Sequence, residues 1–254
     1  MGFIDVPNIP AGMVEVAVVD GRISREIENT LTGLGIKLIK TKKHPGVYDA
    51  ISFHPDIMLH HIGGRTIVTA PGTDPCLIWE LTELGFYISC GTSILAKGYP
   101  FNIAYNVARV GKFAFHNTKY TDPVVKKELN KAGMEMVHVN QGYTKCAVSV
   151  VNENSIITSD RGIAKAAESK GVEALLLEPE VNISLPGLDY GFIGGSSGMI
   201  SSNRWAITGN IDNLRQADKI RSFLHGKNIQ IVMLSKGKII DIGSIIPIFQ
   251  NIKI

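Results

Sequence analysis

One local pattern, repeated along the chain, constrains the fold more than any other feature. Asp74-Pro75 opens the amphipathic run CLIWELTEL, Gly85 closes it, and the apolar FYIS follows. Asp122-Pro123, Gly133 and MEMVHV do the same around VVKKELNKA, and Asp160, Gly171 and VEALLL around RGIAKAAESK. In all three the Asp and the Gly stand eleven residues apart. An Asp at a helix start accepts hydrogen bonds from the unpaired N–H groups of the first turn. Proline costs nothing at the next position, and glycine supplies the left-handed residue that ends the helix. Each copy therefore predicts a helix followed by a strand. Asp20 through Gly35 and Asp212 through Gly226 are looser copies.

Between the helices lie paired apolar stretches: 56–61 with 65–68 across Gly63-Gly64, 101–109 with 112–115 across Gly111, 146–151 with 155–158, and 198–201 with 204–207. These spacings predict hairpins. A fifth pair is split, 14–19 preceding the first helix and 238–242 following the last. The two are expected to pair with each other, since each otherwise leaves a bare sheet edge. The sequence thus predicts a single α/β domain over residues 1–254: five strand–strand–helix–strand units in a ring, a five-bladed α/β propeller closed by the N- and C-terminal strands. Residues 177–195 read as an ordered insertion rather than a linker.

Composition excludes several classes. Twenty-six Lys and Arg against 23 Asp and Glu leave a charge of +3, spread along the chain, too small a surplus for a nucleic-acid protein. Three cysteines make no disulfide framework. The N-terminus has no signal-peptide pattern, and no apolar run approaches the ~18 residues that span a bilayer. The expected protein is cytoplasmic, without a membrane partner, and Cys76 and Cys90 are expected to be buried thiols.

Two short motifs join the repeat. His54-Pro55-Asp56 enters a strand, and Gly194-Gly195-Ser196-Ser197-Gly198-Met199-Ile200-Ser201 enters another. With the five units they resemble the pentein, or guanidino-group-modifying-enzyme, superfamily, which includes arginine deiminases, dimethylarginine hydrolases and amidinotransferases; the likeness implies a bacterial branch of that fold. The first motif is similar to the superfamily's H-x-D and the second to its Gly-Gly-x-x-Cys nucleophile entry. Two departures stand out: Gly198 occupies the place of the nucleophilic Cys, and the H-x-D lies in an early unit rather than a late one.

Another thiol, Cys146, stands at a strand entry of its own. Aligning the hairpins makes Asp56, Asn102, Cys146 and Gly198 equivalent, at strand starts that meet in one pocket. The resemblance then implies a hydrolase or transferase acting on a guanidino or amidine-type small molecule. Cys146 would attack, His54 would protonate the leaving nitrogen, and Asp56 would hold the cation, with Asn102, Asp189, Gly195, Ser196 and Ser197 (and Glu180 as a further carboxylate) binding substrate. Some thiolate character is expected of Cys146 near neutral pH, with faster alkylation than Cys76 or Cys90. Lys145 would assist only if it shares a face with Cys146, which adjacent strand residues do not. A pocket-wall thiol is the alternative for Cys146, and a non-catalytic platform of the ribosome anti-association-factor kind is the alternative for the whole chain.

No cofactor and no metal are expected. His60 and His61 are consecutive in a strand and face opposite ways, and His54 and His60 would lie about 20 Å apart along it. The glycines of 191–198 match no dinucleotide or phosphate loop. They either cradle an anion or let backbone approach a crowded centre. Met199 and Trp205 read as strand core, and His44 and His225 as exposed or capping.

Overall fold

A computed structural model describes residues 2–179 and 182–251, so Glu180 lies outside the described residues. Among them are five nine-residue helices, Arg25–Gly33, Pro75–Glu83, Pro123–Lys131, Arg161–Ser169 and Ala217–His225. Each buries a pair spaced by four, such as Leu77 and Leu81 or Val125 and Leu129, against its own sheet. The three strict copies start and stop as the spacing predicts. Asp74, Asp122 and Asp160 accept from first-turn N–H groups, and Gly85, Gly133 and Gly171 take positive φ at the far end.

The looser copies differ at their ends. Ser24, not Asp20, caps the first helix, accepting from the Ile27 N–H at 3.3 Å. Gln216 precedes the last helix and makes no side-chain cap, while Asp212 sits in an upstream 3₁₀ turn. Gly226 stays right-handed, and Asn228 takes the positive φ instead.

Four of these helices join the parallel pair of a three-stranded sheet whose other pair is an antiparallel hairpin. The hairpins are Leu59–Gly63 with Thr66–Thr69, Ala108–Val110 with Phe113–His116, Val148–Asn152 with Ser155–Thr158, and Ser197–Ser201 with Arg204–Ile207. Their helices lead to the parallel strands Tyr87–Cys90, Glu135–His138, Glu173–Leu176 and Gln230–Met233. Met199 and Trp205 are fully buried in the last of these sheets.

The fifth sheet joins the two ends of the chain, but through a different strand from the one expected. Met13–Val19 pairs antiparallel with Ile246–Asn251 and parallel with Lys37–Lys40. The expected partner, 238–242, contributes Ile239–Ile240, which pairs with Ile183–Ser184 of the insertion. The physical reason is burial. Ile246 through Gln250 are buried without a break, as a strand with neighbours on both sides must be. Its Pro247, which reads as a strand breaker, is absorbed where the register shifts between Pro247 and Phe249.

Three of the four hairpins also start later than expected, and the fourth starts one residue earlier, at Ser197. Asn102 belongs to a turn six residues before its strand begins at Ala108. Asp56 and Cys146 sit on single helical turns, Pro55–Met58 and Thr144–Ala147, immediately before theirs. Strand register makes Leu59, Val148 and Ser197 equivalent. Asp56 therefore corresponds to Lys145, and Gly198 to Ser149, so the expected equivalence of Asp56, Asn102, Cys146 and Gly198 does not hold.

The caps differ in what they carry. Asp160 accepts from the Ile163 N–H and from Gln141 Nε2. Asp122 accepts from Val124 and Val125 with one oxygen, and from the Thr92 and Ser93 N–H groups and the Tyr105 hydroxyl with the other. Asp160→Ala should cost ~0.5–2 kcal/mol; Asp122→Ala should cost ~2–4 kcal/mol, because it also strands buried donors. Burial alone would raise the Asp122 carboxyl, but the donors of Ser93, Thr92 and Val125 overcome it and hold the group below its ordinary 3.8. Its contribution is thus complete above that value and is lost as pH falls through the lower folded one. Urea unfolding of the two variants at neutral and acid pH checks both statements; equal costs at neutral pH would contradict the first.

Candidate active site

The segments that enter the five sheets meet one another. Asn106 Nδ2 donates to the Asp56 carbonyl at 3.0 Å, and Asn106 Oδ1 accepts from the Lys145 and Cys146 N–H groups at 2.8 and 3.2 Å. The Gly195 N–H donates to the Cys146 carbonyl, the Ser244 N–H to the Gly195 carbonyl, and the Asp56 N–H to the Gly243 carbonyl. These bonds pass through all five entries and return to the first.

Inside this circuit lie Cys146, Asp56 and His54. One donor atom from each falls within 4.8 Å of the other two, and all three residues are buried. The Cys146 thiol donates to Asp56 Oδ2 at 3.1 Å and receives Asn106 Nδ2 at 3.2 Å. Ser244 Oγ lies 2.9 Å from the same Asp56 oxygen and accepts from Lys145 Nζ at 2.9 Å. Lys145 and Cys146 do share the site, because a helical turn rather than a strand carries them.

His54 is held differently. Its Nδ1 stands 3.8 Å from Asp241 Oδ1 and its Nε2 3.9 Å from Asp20 Oδ2, and neither nitrogen has a hydrogen-bond partner. Asp56 Oδ1 is also buried without one. Asp20 is gripped by Arg22, with Nη2 to Oδ2 at 2.6 Å. Asp241 is fixed by the N–H groups of Gly243 and Phe192. Gly243 has φ +66°, and a Cβ there would meet His54 Cβ at 2.3 Å, so glycine at 243 makes the seat for the imidazole. Orphaned polar atoms in a buried site are places for a ligand or water to satisfy.

While Asp56 borders a separate small hollow with Lys145 and His60, the His54 ring opens onto a cavity of about 370 Å³ whose floor is His54, Cys146 and Asp241. Tyr48, Tyr143, Tyr190 and Phe192 wall it, and Asp189 stands exposed at the mouth. His54, Asp56 and Cys146 also form the kind of mixed donor set that a zinc-like ion takes. The metal expectation, weighed on His54, His60 and His61 along a strand, overlooked it.

Burial pushes the Cys146 thiol well above its ordinary value, and the charges of Asp56 and Asp241 push it further. Burial pulls Lys145 down against the pull of Asp56. Burial also raises Asp241, with His54 opposing. The expectation of a resting thiolate is therefore reversed: the neighbours of Cys146 are carboxylates, and its proton is already shared with one.

Other expected site residues have other work. Asn102 Oδ1 accepts from the Tyr143 hydroxyl at 2.9 Å and so supports the cavity wall from behind. The Ser196 and Ser197 hydroxyls donate to the Ile193 carbonyl and are buried. Gly195 and Gly194 serve close approach rather than anion binding: a Cβ would meet Asp241 Oδ1 at 2.0 Å and the Val148 carbonyl oxygen at 2.3 Å. At Gly198 a Cβ would lie 2.7 Å from the Ile245 carbonyl oxygen.

Cys76 and Cys90 are exposed, not buried. Cys76 lies beside the buried pair Leu77 and Leu81 rather than on that stripe, and Cys90 ends the outer strand of its sheet. His44 is buried, with Nε2 2.9 Å from the Pro71 carbonyl oxygen. Asp20, Asp241, Asn106 and Ser244 were not legible as site residues. Asp20 imitates a helix cap, and the other three have no local motif.

The model of a family of unknown function, DUF6873, matches residues 18–246. No characterised protein matches the chain in sequence. Among solved structures, the chain is similar to SxtG, an amidinotransferase of Microseira wollei in the saxitoxin biosynthetic pathway. The identity there is 11%, the TM-score 0.59, and 92% of this chain and 91% of that one are covered. It is similar to DDAH of Pseudomonas aeruginosa at 10% identity and TM-score 0.54, covering 88% and 92%. It is also similar to agmatine deiminase of C. jejuni at 10% and 0.53, covering 92% and 90%. At such identities the likeness shows the fold, that of the guanidino-modifying enzymes. Among the described residues no helix is long and apolar enough to cross a membrane.

The thiols should react in the opposite order to that expected from sequence. Iodoacetamide should label Cys76 and Cys90 first, and Cys146 should respond only at pH above the ordinary thiol value of 9.0. Asp56→Asn removes one of the charges that raise it and should move labelling of Cys146 to lower pH. Mass spectrometry of labelled peptides across pH reads this; unchanged Cys146 kinetics in Asp56→Asn would show that the Asp56 charge does not hold the thiol up.

Proposed function

The chain belongs to DUF6873, and we propose that its site is a guanidino- or amidine-modifying centre, hydrolase or transferase, with Cys146 as nucleophile. The observation that carries this reading is the contact of the Cys146 thiol with Asp56 on one side, with an unpartnered His54 beside it on the floor of a cavity. The five units act as blades around one centre, a view supported by the hydrogen-bond circuit through their entries and by the sheet that joins the two ends of the chain.

A cationic amidine entering the cavity meets Asp241 and aromatic walls, which suit a planar cation. Its charge opposes the carboxylates that suppress Cys146, so the thiol ionises when substrate is present. Cys146 loses its proton to Asp56, and Sγ bonds to the amidine carbon as the C=N electron pair moves to nitrogen. His54 gives a proton to the departing nitrogen, the C–N bond breaks, and a thiouronium ester remains on Cys146. Water, or an acceptor amine, gives a proton to His54 and attacks that carbon. Breaking the C–S bond releases a urea from a guanidine, an amide from an amidine, or a new guanidine where an amine attacks, and the thiolate takes its proton back from Asp56.

A second reading, non-catalytic binding on this platform, is favoured by one observation: the superfamily's nucleophile position is Gly198, with no room for a side chain. Turnover decides. Wild-type protein incubated with a panel of guanidino compounds should yield ureido or transferred products and a Cys146 adduct visible in acid-quenched mass spectra. Cys146→Ser should lower the rate at least ~10³-fold, as loss of a nucleophile does. Absence of product and adduct across the panel would leave the binding reading standing.

A further inference from the structure

The charges that line the cavity select among cations. Asp241 lies on its floor, Asp189 stands at its mouth, and among the described residues no Lys or Arg lines it. Asp189 makes no ion pair among those residues, and its neighbours Leu188 and Tyr190 are 48% and 52% exposed. The cations of that region are engaged elsewhere or lie outside. Lys43 bonds Asp49 at 2.7 Å, Lys97 acts on the same Asp49, and Lys238 lines a second hollow, which Asp189 and Leu188 also border. Between floor and mouth the walls are aromatic and aliphatic apart from the neutral Gln141. A volume of about 370 Å³ exceeds what one guanidinium group fills, so a substrate's chain must occupy the rest.

We infer that the substrate is a dication without a carboxylate: an amidine or guanidine presented to Cys146, an apolar spacer along the aromatic walls, and an amine at Asp189. This rests on the reading of the site as guanidino-modifying. A guanidino acid would bring its carboxylate to Asp189 with no cation in the cavity to receive it, and like charges set together oppose binding. The guanidino amine meets an acid at each end.

Two ligands of equal length, 4-guanidinobutylamine and 4-guanidinobutanoate, test this on the wild-type protein by calorimetric binding and by turnover. The amine should bind at least ~10-fold more tightly, since like-charge juxtaposition costs several kcal/mol. Asp189→Asn should shrink that preference about two- to fivefold, the worth of one solvent-exposed ion pair. Equal or reversed affinities, or failure of both ligands to bind, would overturn the inference. An amine preference that Asp189→Asn leaves unchanged would overturn the assignment to Asp189. Binding preference with no turnover of either ligand sustains the inference while refuting the catalytic reading, so the two fail separately.

Discussion

The side chain of Asn106 is the joint on which the site depends. It is fully buried, and its four polar valences are all used: Nδ2 on the Asp56 carbonyl and the Cys146 sulfur, Oδ1 on the Lys145 and Cys146 N–H groups. A carboxamide is well suited to this work, since it donates and accepts in one rigid plane. It ties the turn that carries Asp56 to the turn that carries Cys146, two units that share no strand pairing. Without it, the Cys146 N–H would lack a partner and the Lys145 N–H would keep only the Asn106 backbone carbonyl, and the distance between thiol and carboxylate would be set only by packing.

Around that joint the site stores an unusual balance of charge. Three carboxylates, Asp20, Asp56 and Asp241, are buried with a single buried lysine, a histidine and the Arg22 that grips Asp20. Two of the acids reach their neighbours through short fixed dipoles, the Gly243 and Phe192 N–H groups for Asp241 and the Ser244 hydroxyl between Lys145 and Asp56, while Asp20 pairs directly with Arg22. The result is a floor that prefers positive charge and keeps the Cys146 thiol protonated. A thiol held this way is protected from adventitious oxidation, because thiolate character governs that chemistry.

What could be read from the sequence was whatever is local. The Asp–Gly cassettes encode start, stripe and stop within eleven residues, and all three strict copies formed as read. The looser copies failed at their ends because spacing alone did not show which of Asp20 or Ser24 the backbone would choose. The closing strand was missed because its pairing is set by burial between distant parts of the chain, while Pro247 argued locally against it. The site was half legible for the same reason. His54, Asp56 and Cys146 announce chemistry by type and motif. Asn106, Ser244 and Asp241 acquire meaning only when entries separated by tens of residues are brought together. Reading the hairpins a few residues too early also put Asn102 where Asn106 belongs.

The sheet shared by the two ends of the chain also sets a timetable. His54 lies between Asp20, just past one strand of that sheet, and Asp241, just before the other. During synthesis on the ribosome the early units can form as they emerge, since their contacts are short-range. The imidazole has no second carboxylate and Asp56 no Ser244 until the final segment has left the exit tunnel and docked. Synthesis of residues 241–251 and assembly of the buried cluster around Cys146 are therefore one event, and a fragment released before them holds its cysteine without the partners that surround it.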